Sequence, residues 1–558
     1  MKLKKNTFVQ GAFIATLGIV ISKILGIIYV IPFYAIIGDQ GGALYGYAYN
    51  IYSIFLGISQ AGLPLAMSKI ISEYSTMGLP TSQEKAFKIG KNILTVLGIV
   101  CFLVLFIFAG PIAKLIIGDV TGGNSIEDIT YVIRAISFSI LIVPLLSVYR
   151  GYFQGHRYMA PTSISQVLEQ LIRVIIIIIG SYLTLKVFNL PLKYAVGLAL
   201  FGATIGSLAS VIYLMIKLKK NKKNFISNKK EEVVKSSKEI TIQIFSYALP
   251  FIMADVCKSL YNSVDTFIVV KTLTNDLGYL VKDAESIMGF ISTWGNKLNM
   301  IVIAIGTGFT SSLLPNLTVS LVKKDKKDIN LKINQTYQIL TFITLPMTVG
   351  LSFLAAPVWN LFYGASLYGP KVFAFSIFTA FVTVLLSTST TIVLTLKEYK
   401  VLFIALISGL VTNAVFDAPL MKLLHAIGLP AYYGATLSTI IGNLLSVAII
   451  LIFLKKKYDI KFKDTFKRLA KIIISVAVMY LTLLAVKQVI PFATSRIFSI
   501  VTIMIFAIIG IIVYCVMANM FNLFNDIFEK RIMDKIKTKL KIKKGWKNEI
   551  WKINRKRI

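Results

Sequence analysis

Apolar residues recur along the chain in runs of about 20, the length that crosses a bilayer as a helix. The runs begin near residues 8, 45, 90, 129, 161, 194, 241, 286, 333, 372, 401, 432, 470 and 497, which predicts about fourteen membrane-spanning helices in an all-α protein. Polar and Gly-containing stretches separate them, and no interval leaves room for a large soluble domain. Lys2, Lys4 and Lys5 precede a first run of about 30 residues. That pattern resembles a secretory signal but is longer and has no small-x-small cleavage site, so it predicts a retained first helix.

Composition agrees with this pattern: of the 558 residues 56% are hydrophobic and 15% charged, with a net charge of +35. The basic residues also give the orientation. With the N-terminus inside, 46 of the 60 Lys and Arg fall on inner loops and tails, 9 on outer loops and 5 within spans. Such asymmetry is the positive-inside rule, and it predicts a multi-pass membrane protein with both termini cytoplasmic. The excess charge is therefore expected to face anionic lipid head groups and not nucleic acid. Two histidines and three scattered cysteines (Cys101, Cys257, Cys515) offer no ligand spacing, so neither a metal site nor a cofactor is expected. The outer loops are short and carry no acidic catalytic cluster, which argues against an integral-membrane enzyme. No Gly-x-x-x-x-Gly-Lys-Ser/Thr run occurs either.

A Lys/Glu/Ser-rich stretch divides the spans. The predicted organisation is an N-lobe over 1–217 (six spans), a basic cytoplasmic linker over 218–240, a C-lobe over 241–456 (six spans), two extra spans over 457–522, and a basic amphipathic tail over 523–558. Gly206-Ser-Leu-Ala-Ser-Val211 in the sixth span resembles Gly442-Asn-Leu-Leu-Ser-Val447 in the twelfth, and each run leads to Leu-Lys-Lys at the same offset. Two parallel repeats of six spans around a central cavity suit alternating-access transport. In the tail, Phe524, Phe528, Ile532, Ile536 and Leu540 form an i,i+4 ridge that predicts a helix lying on the inner leaflet.

Charges inside spans are costly, at least ~2.5 to 3.5 kcal/mol each on insertion scales, and each marks a functional group or a pair. Lys23 and Lys297 have no opposite charge within a turn or two and are expected to face an aqueous cavity. Lys258 joins them if the seventh and eighth spans mirror the first two. Arg134 either snorkels to the outer interface or belongs to the same substrate-binding set, as does Arg173. Glu169 and Arg173, i,i+4 on one helix, suit a structural ion pair. Asp255 and Asp265 are the expected ion-coupling carboxylates, with neutralisation of Lys258 as the other reading for Asp255. Asp417 lies near the outer end of the eleventh span. Unpaired cations in a cleft suit an anionic, phosphate-bearing substrate.

The run from Arg150-Gly-Tyr-Phe-Gln-Gly-His-Arg-Tyr-Met through Glu169 to Arg173 resembles the polysaccharide-biosynthesis branch of the MOP exporter superfamily. Ser22-Lys-Ile-Leu-Gly26, Gly38-Asp-Gln-Gly-Gly-Ala-Leu-Tyr-Gly46 and Ala61-Gly-Leu-Pro-Leu-Ala-Met-Ser-Lys69 fit the same group. Within it the chain is similar to the Gram-positive lipid II flippases of MurJ type and to the stage V sporulation protein B group. The resemblance implies a flippase for an undecaprenyl-pyrophosphate-linked sugar, lipid II in the first place, serving cell-wall peptidoglycan synthesis. A carrier of another lipid-linked polysaccharide unit and a multidrug or metabolite exporter are the alternatives. It also implies that Lys23 and Lys297 occupy the cavity-facing basic positions of the first and eighth spans, with Tyr29 where Gram-negative members carry arginine. The expected partners are the polyprenyl pyrophosphate substrate and anionic membrane lipids, with cell-wall synthesis enzymes a further class. The last two spans are expected to form a groove for the polyprenyl tail or to pack on the C-lobe.

Overall fold

The computed structural model describes residues 8–528 apart from 61, 119, 222–224, 226–233, 323–324 and 493–494. Among these residues the chain is almost wholly helical and has no strand. The first part comprises α1 (Phe8–Ile28), α2 (Val30–Gln60), α3 (Leu63–Met77), α4 (Pro80–Ile107), α5 (Ala109–Ile117), α6 (Ile126–Gly155), α7 (Met159–Ile175) and α8 (Leu192–Lys220). It continues through α9 (Ser237–Lys271), α10 (Val281–Gly289), α11 (Gly295–Val322), α12 (Lys326–Phe353), α13 (Ala355–Tyr363), α14 (Gly369–Thr395), α15 (Tyr399–Ala426) and α16 (Tyr432–Tyr458). The last elements are α17 (Lys463–Val489), α18 (Arg496–Met520) and the single turn α19 (Leu523–Ile527).

Twelve helical segments among the described residues are long and apolar enough to cross a membrane. Helices also occupy the first and eighth predicted positions, residues 8–28 and 281–322, outside that set of twelve. The chain is an all-α membrane protein, and the count of fourteen remains an expectation. Side-chain distribution fits a lipid solvent. On α18 the ridge Phe506, Gly510, Tyr514 and Ala518 is buried, while Ile497, Met504, Ile508 and Ile511 face outward, Ile511 at 63% exposure. A large aliphatic surface of this kind is stable only against hydrocarbon.

Local chemistry sets the helix ends. Ser125 and Asp128 close a capping box on α6, and Ser236 and Glu239 close one on α9. Within α2, Gly38 adopts φ 64°, a conformation that favours glycine, and breaks the helix into the end of the first predicted span and the start of the second. The second span thus starts just after Gly38 and not near Tyr45.

Two compact units are distinguished, one of residues 1–304 with 359–451 and one of 305–358 with 452–558. In the second unit α12, α17 and α18 pack together. The Tyr514 hydroxyl donates to the Phe342 carbonyl (2.7 Å), and Arg468 and Thr465 hydrogen-bond to Gln338 and Asn334. Of the predicted tail the described residues form the single turn α19. Phe528 is extended, and Phe524 and Phe528 turn their rings onto Phe342, at 5.3 and 5.5 Å, so the first two positions of the ridge pack on the bundle and not on a lipid surface. Ile532, Ile536 and Leu540 lie outside the described residues.

In the first unit, the repeated motif occupies equivalent places in two helix pairs. A Cβ on Gly206 of α8 would come within 2.5 Å of the Glu169 carbonyl on α7, and Ser210 donates to the Ser165 carbonyl at 2.7 Å. A Cβ on Gly442 of α16 would come within 2.5 Å of the Gly409 carbonyl on α15, and Ser446 donates to the Ala405 carbonyl at 2.8 Å. Each pair uses a glycine for close approach and, one turn later, a serine as an interhelical donor.

Candidate functional site

α1 runs along α7 through small contacts. A Cβ on Gly18 would fall 2.7 Å from the Ser163 Cβ, and one on Gly26 would lie 3.4 Å from Gln170 Nε2. This close approach brings Lys23 beside the Glu169 and Arg173 turns of α7. A pocket of about 300 Å³ results, and Lys23, Arg173 and Lys297 line it together with Tyr29, Tyr45 and Tyr49. Three of the predicted cations thus meet in one cavity, although they come from α1, α7 and α11.

The predicted Glu169–Arg173 pair proves to be part of a triad. Glu169 Oε2 accepts from Arg150 Nη2 at 2.8 Å, while Arg173 Nη2 stands 3.5 Å from Oε1. Arg150 also donates to the Ser165 hydroxyl at 3.0 Å. Arg150 and Glu169 are both 8% exposed. The shorter, charge-assisted contact is the stronger one. One carboxylate shared by two guanidinium groups leaves a positive charge, and of the triad Glu169 and Arg173, whose Nε is buried and lacks a described acceptor, both line the pocket.

Lys297 lies against aromatic faces. Its ammonium is 5.5 Å from the centre of the Tyr29 ring and 6.0 Å from that of Tyr49, at the edge of cation–π range. Tyr49 in turn stacks on Tyr45 at 5.7 Å and 12°. Tyr29 therefore takes part in the site as a ring facing a cation, where the resemblance marked only a missing arginine. Just before Lys297 the helix widens into a π-turn over Phe290–Trp294, a feature common at functional sites. Trp294 packs edge-on against Phe33 and Tyr34, and a Cβ on Gly42 would overlap its indole. Glu285 is buried and accepts from the Asn124 backbone and side-chain amides at 3.0 to 3.1 Å, and Gln40 donates to the Lys282 carbonyl at 3.1 Å.

Other predicted residues lie elsewhere. Arg134 is exposed, stacks over Phe106 at 5.2 Å and donates to the Phe106 carbonyl, outside the Lys23 pocket. Lys258 stays beside Asp255 on α9 and is not among the residues lining that pocket. Of the two coupling candidates, Asp265 is buried and interacts electrostatically with fully buried Asp417 of α15, while Asp255 keeps to Lys258. One oxygen of Asp265 and both of Asp417 are buried without a hydrogen bond from any described residue. Ser438 and Thr439 of α16 direct their hydroxyls to Asn413 Oδ1, at 2.8 and 3.2 Å, and a cavity of about 60 Å³ adjoins Asp265 and Thr439. Two neighbouring buried carboxylates call for a proton or a cation, and carboxylate, amide and hydroxyl oxygens suit a hard one. Among the described residues no group of three His, Cys, Asp or Glu side chains gathers as a metal site.

Arg150, Asn413 and the Asp265–Asp417 pairing were not predicted. Arg150 was visible only as part of a motif at a span end. The i,i+4 spacing of Asn413 and Asp417 was the one available signal for the second cluster.

A helical membrane protein with a cationic central pocket and a separate buried carboxylate pair belongs to the transporters and not to the enzymes, and its fold is found in solved MOP-superfamily structures. One is titled lipid II flippase MurJ in an inward closed conformation, with TM-score 0.64 and 18% identity over 92% of this chain and 99% of that one. An inward-facing multidrug resistance MATE family transporter matches at TM-score 0.61 and 12% identity, over 80% and 98%. More particularly, the chain belongs to the polysaccharide biosynthesis protein family, whose pattern matches residues 8–320. Among curated relatives it is 33% identical to the lipid II flippase MurJ of Bacillus subtilis (strain 168), over 88% of this chain and 90% of that protein. It is 25% identical to stage V sporulation protein B of the same organism, over 66% and 69%.

Proposed function

We propose that this protein is a flippase that carries lipid II across the bacterial cytoplasmic membrane by alternating access, for peptidoglycan synthesis. The observation that carries the reading is the convergence of Lys23, Arg173 and Lys297 on one pocket. A pyrophosphate head has a prohibitive cost in hydrocarbon, and ammonium and guanidinium donors offset that cost inside a closed cavity. The undecaprenyl tail stays in lipid, and the last two spans provide its groove. The extensive similarity to the Bacillus subtilis flippase supports lipid II over other polyprenyl-linked sugars. The two six-span lobes, the fourteen-span count and cytoplasmic termini belong to the same proposal. They rest on the 46 to 9 division of basic residues and on the repeated helix packing. Coupling runs through Asp265 and Asp417, which exchange a proton or a monovalent cation as the lobes rock.

The test is reconstitution in proteoliposomes with lipid II and, in parallel, a polyprenyl-pyrophosphate sugar from another polymer. Lipid II should change leaflet and the other substrate should lag at least tenfold; the reverse ranking moves the protein to another polysaccharide. For topology, single cysteines at Gly122, Ser227 and Gly545 in a background lacking the native three should react with an impermeant reagent from outside only at Gly122. Labelling of Ser227 in intact cells would contradict the orientation.

A further inference from the structure

We infer that the cavity between α4, α6 and α8 is a binding site for one anionic glycerophospholipid of the linker-side leaflet, separate from the Lys23 pocket. Its volume is about 800 Å³, within the range of ligand-binding cavities. Phe87 of α4 and Tyr149 and Tyr152 of α6 form an aromatic floor, and Ile212, Met215 and Leu218 of α8 form an aliphatic wall. Ile212 and Met215 remain nearly half exposed, so the wall continues the lipid-facing surface of α8.

Lys88 and Lys91 of α4 and Lys219 of α8 also line this cavity, together with Glu84. Lys219 is one residue from the end of α8, and Lys88 and Lys91 lie in the first half of α4. Lys88 is held by Glu84 at 3.2 Å, whereas neither Lys91 nor Lys219 forms an ion pair with a described residue. Phe225 of the linker closes the far side, stacked on Tyr152 at 5.5 Å and packed with Phe153, His156 and Tyr158. Phe225 thereby forms a wall of the cavity, and Lys85 donates to the Lys235 carbonyl at 2.9 Å.

An acyl chain fits the apolar walls, and a phosphodiester fits the two available ammonium groups. A free phosphate leaves the walls without a partner, and a zwitterionic lipid brings its own cation to the lysines. The inference stands apart from the flippase reading, because occupancy is measured in purified protein without transport.

The experiment is native mass spectrometry of the full-length protein in detergent, titrated with phosphatidylglycerol or phosphatidylcholine. One phosphatidylglycerol should bind at least tenfold more tightly than phosphatidylcholine. The Lys91→Glu/Lys219→Glu variant should lose that preference. Met215→Trp, which fills the wall without altering charge, should lower occupancy by both lipids, and Lys455→Glu/Lys456→Glu at the end of α16 should change nothing. Thermal unfolding identifies any variant that fails to fold. Equal binding of the two lipids, an equal loss in the α16 variant, or displacement of phosphatidylglycerol by undecaprenyl pyrophosphate in the wild type would overturn the assignment.

Discussion

The α7–α8 and α15–α16 pairs are built alike and charged oppositely. In both, a glycine of the later helix approaches a carbonyl of the earlier one, and a serine one turn on donates to the carbonyl one turn back. By this register Glu169 corresponds to Gly409, and Arg173 to Asn413. On α7 the carboxylate is paired with two guanidinium groups, and Glu169 and Arg173 line the Lys23 pocket together. On α15 the carboxylate of Asp417 lies one turn beyond Asn413, has no basic partner among the described residues, and interacts with a second carboxylate, Asp265. One packing solution thus stands beside a mainly basic cluster in one helix pair and beside two carboxylates in the other. Helix contacts made by backbone and small side chains leave the adjoining positions open to either charge.

The largest effect expected from breaking this contrast is on transport. Lys23→Ala or Lys297→Ala should reduce flipping at least a hundredfold while abundance stays near wild type. Arginine at either position should retain activity, and transport by proteoliposomes at matched protein levels is the check. Normal transport by both alanine variants would remove the cationic pocket from the mechanism.

Glu169→Gln should lower stability by ~3 to 5 kcal/mol, since it strands two buried guanidinium groups. Arg150→Gln should cost more than Arg173→Gln, following the 2.8 and 3.5 Å contacts. Adding Arg150→Gln to Glu169→Gln should restore more membrane-inserted protein than adding Arg173→Gln, as quantified by fluorescence-detected size exclusion. Equal rescue would return the acid to the simple α7 pair.

Asp265→Asn and Asp417→Asn should each leave the melting temperature unchanged or raise it, because one of two facing like charges is removed. Stimulation of flipping by an imposed H⁺ or Na⁺ gradient should fall at least tenfold. A gradient response that survives in both variants would detach the carboxylate pair from coupling. The smallest effect lies at the α6 capping box. Burial alone would raise the Asp128 carboxyl, but hydrogen bonds from Ser125 and from the Lys193 ammonium hold it below its ordinary value. A carboxyl lowered in the folded state stabilises above its unfolded pKa, and that contribution is lost as pH falls through the folded value. The melting difference between wild type and Asp128→Asn, worth under ~1 kcal/mol, should be present at pH 7 and begin to shrink only as pH falls below about 4.

Hydrophobic runs made the all-α membrane-spanning class and the long apolar helices legible, because bilayer insertion acts on composition more than on packing. Lys23, Lys297 and Arg173 were legible for the same reason: a charge deep in a span is visible without knowing its neighbours. Partnership was not. Arg150 appeared to belong to a loop, but α6 extends to Gly155 and carries it against α7. Asp265 and Asp417 are 152 residues apart, and only the meeting of α9 with α15 joins them. The tail periodicity was misleading at its start, because Phe524 and Phe528 find protein partners on α12 before any lipid surface is needed.

The most direct measurement is the affinity of purified protein for lipid II, compared among wild type, Lys23→Ala, Lys297→Ala and the two lysine-to-arginine variants. A charge-assisted hydrogen bond contributes ~1.5 to 3 kcal/mol, so each alanine variant should bind at least tenfold more weakly and each arginine variant within a few-fold of wild type. Wild-type affinity in both alanine variants, with melting temperatures unchanged, would contradict the assignment of the pyrophosphate to the pocket of Lys23, Arg173 and Lys297.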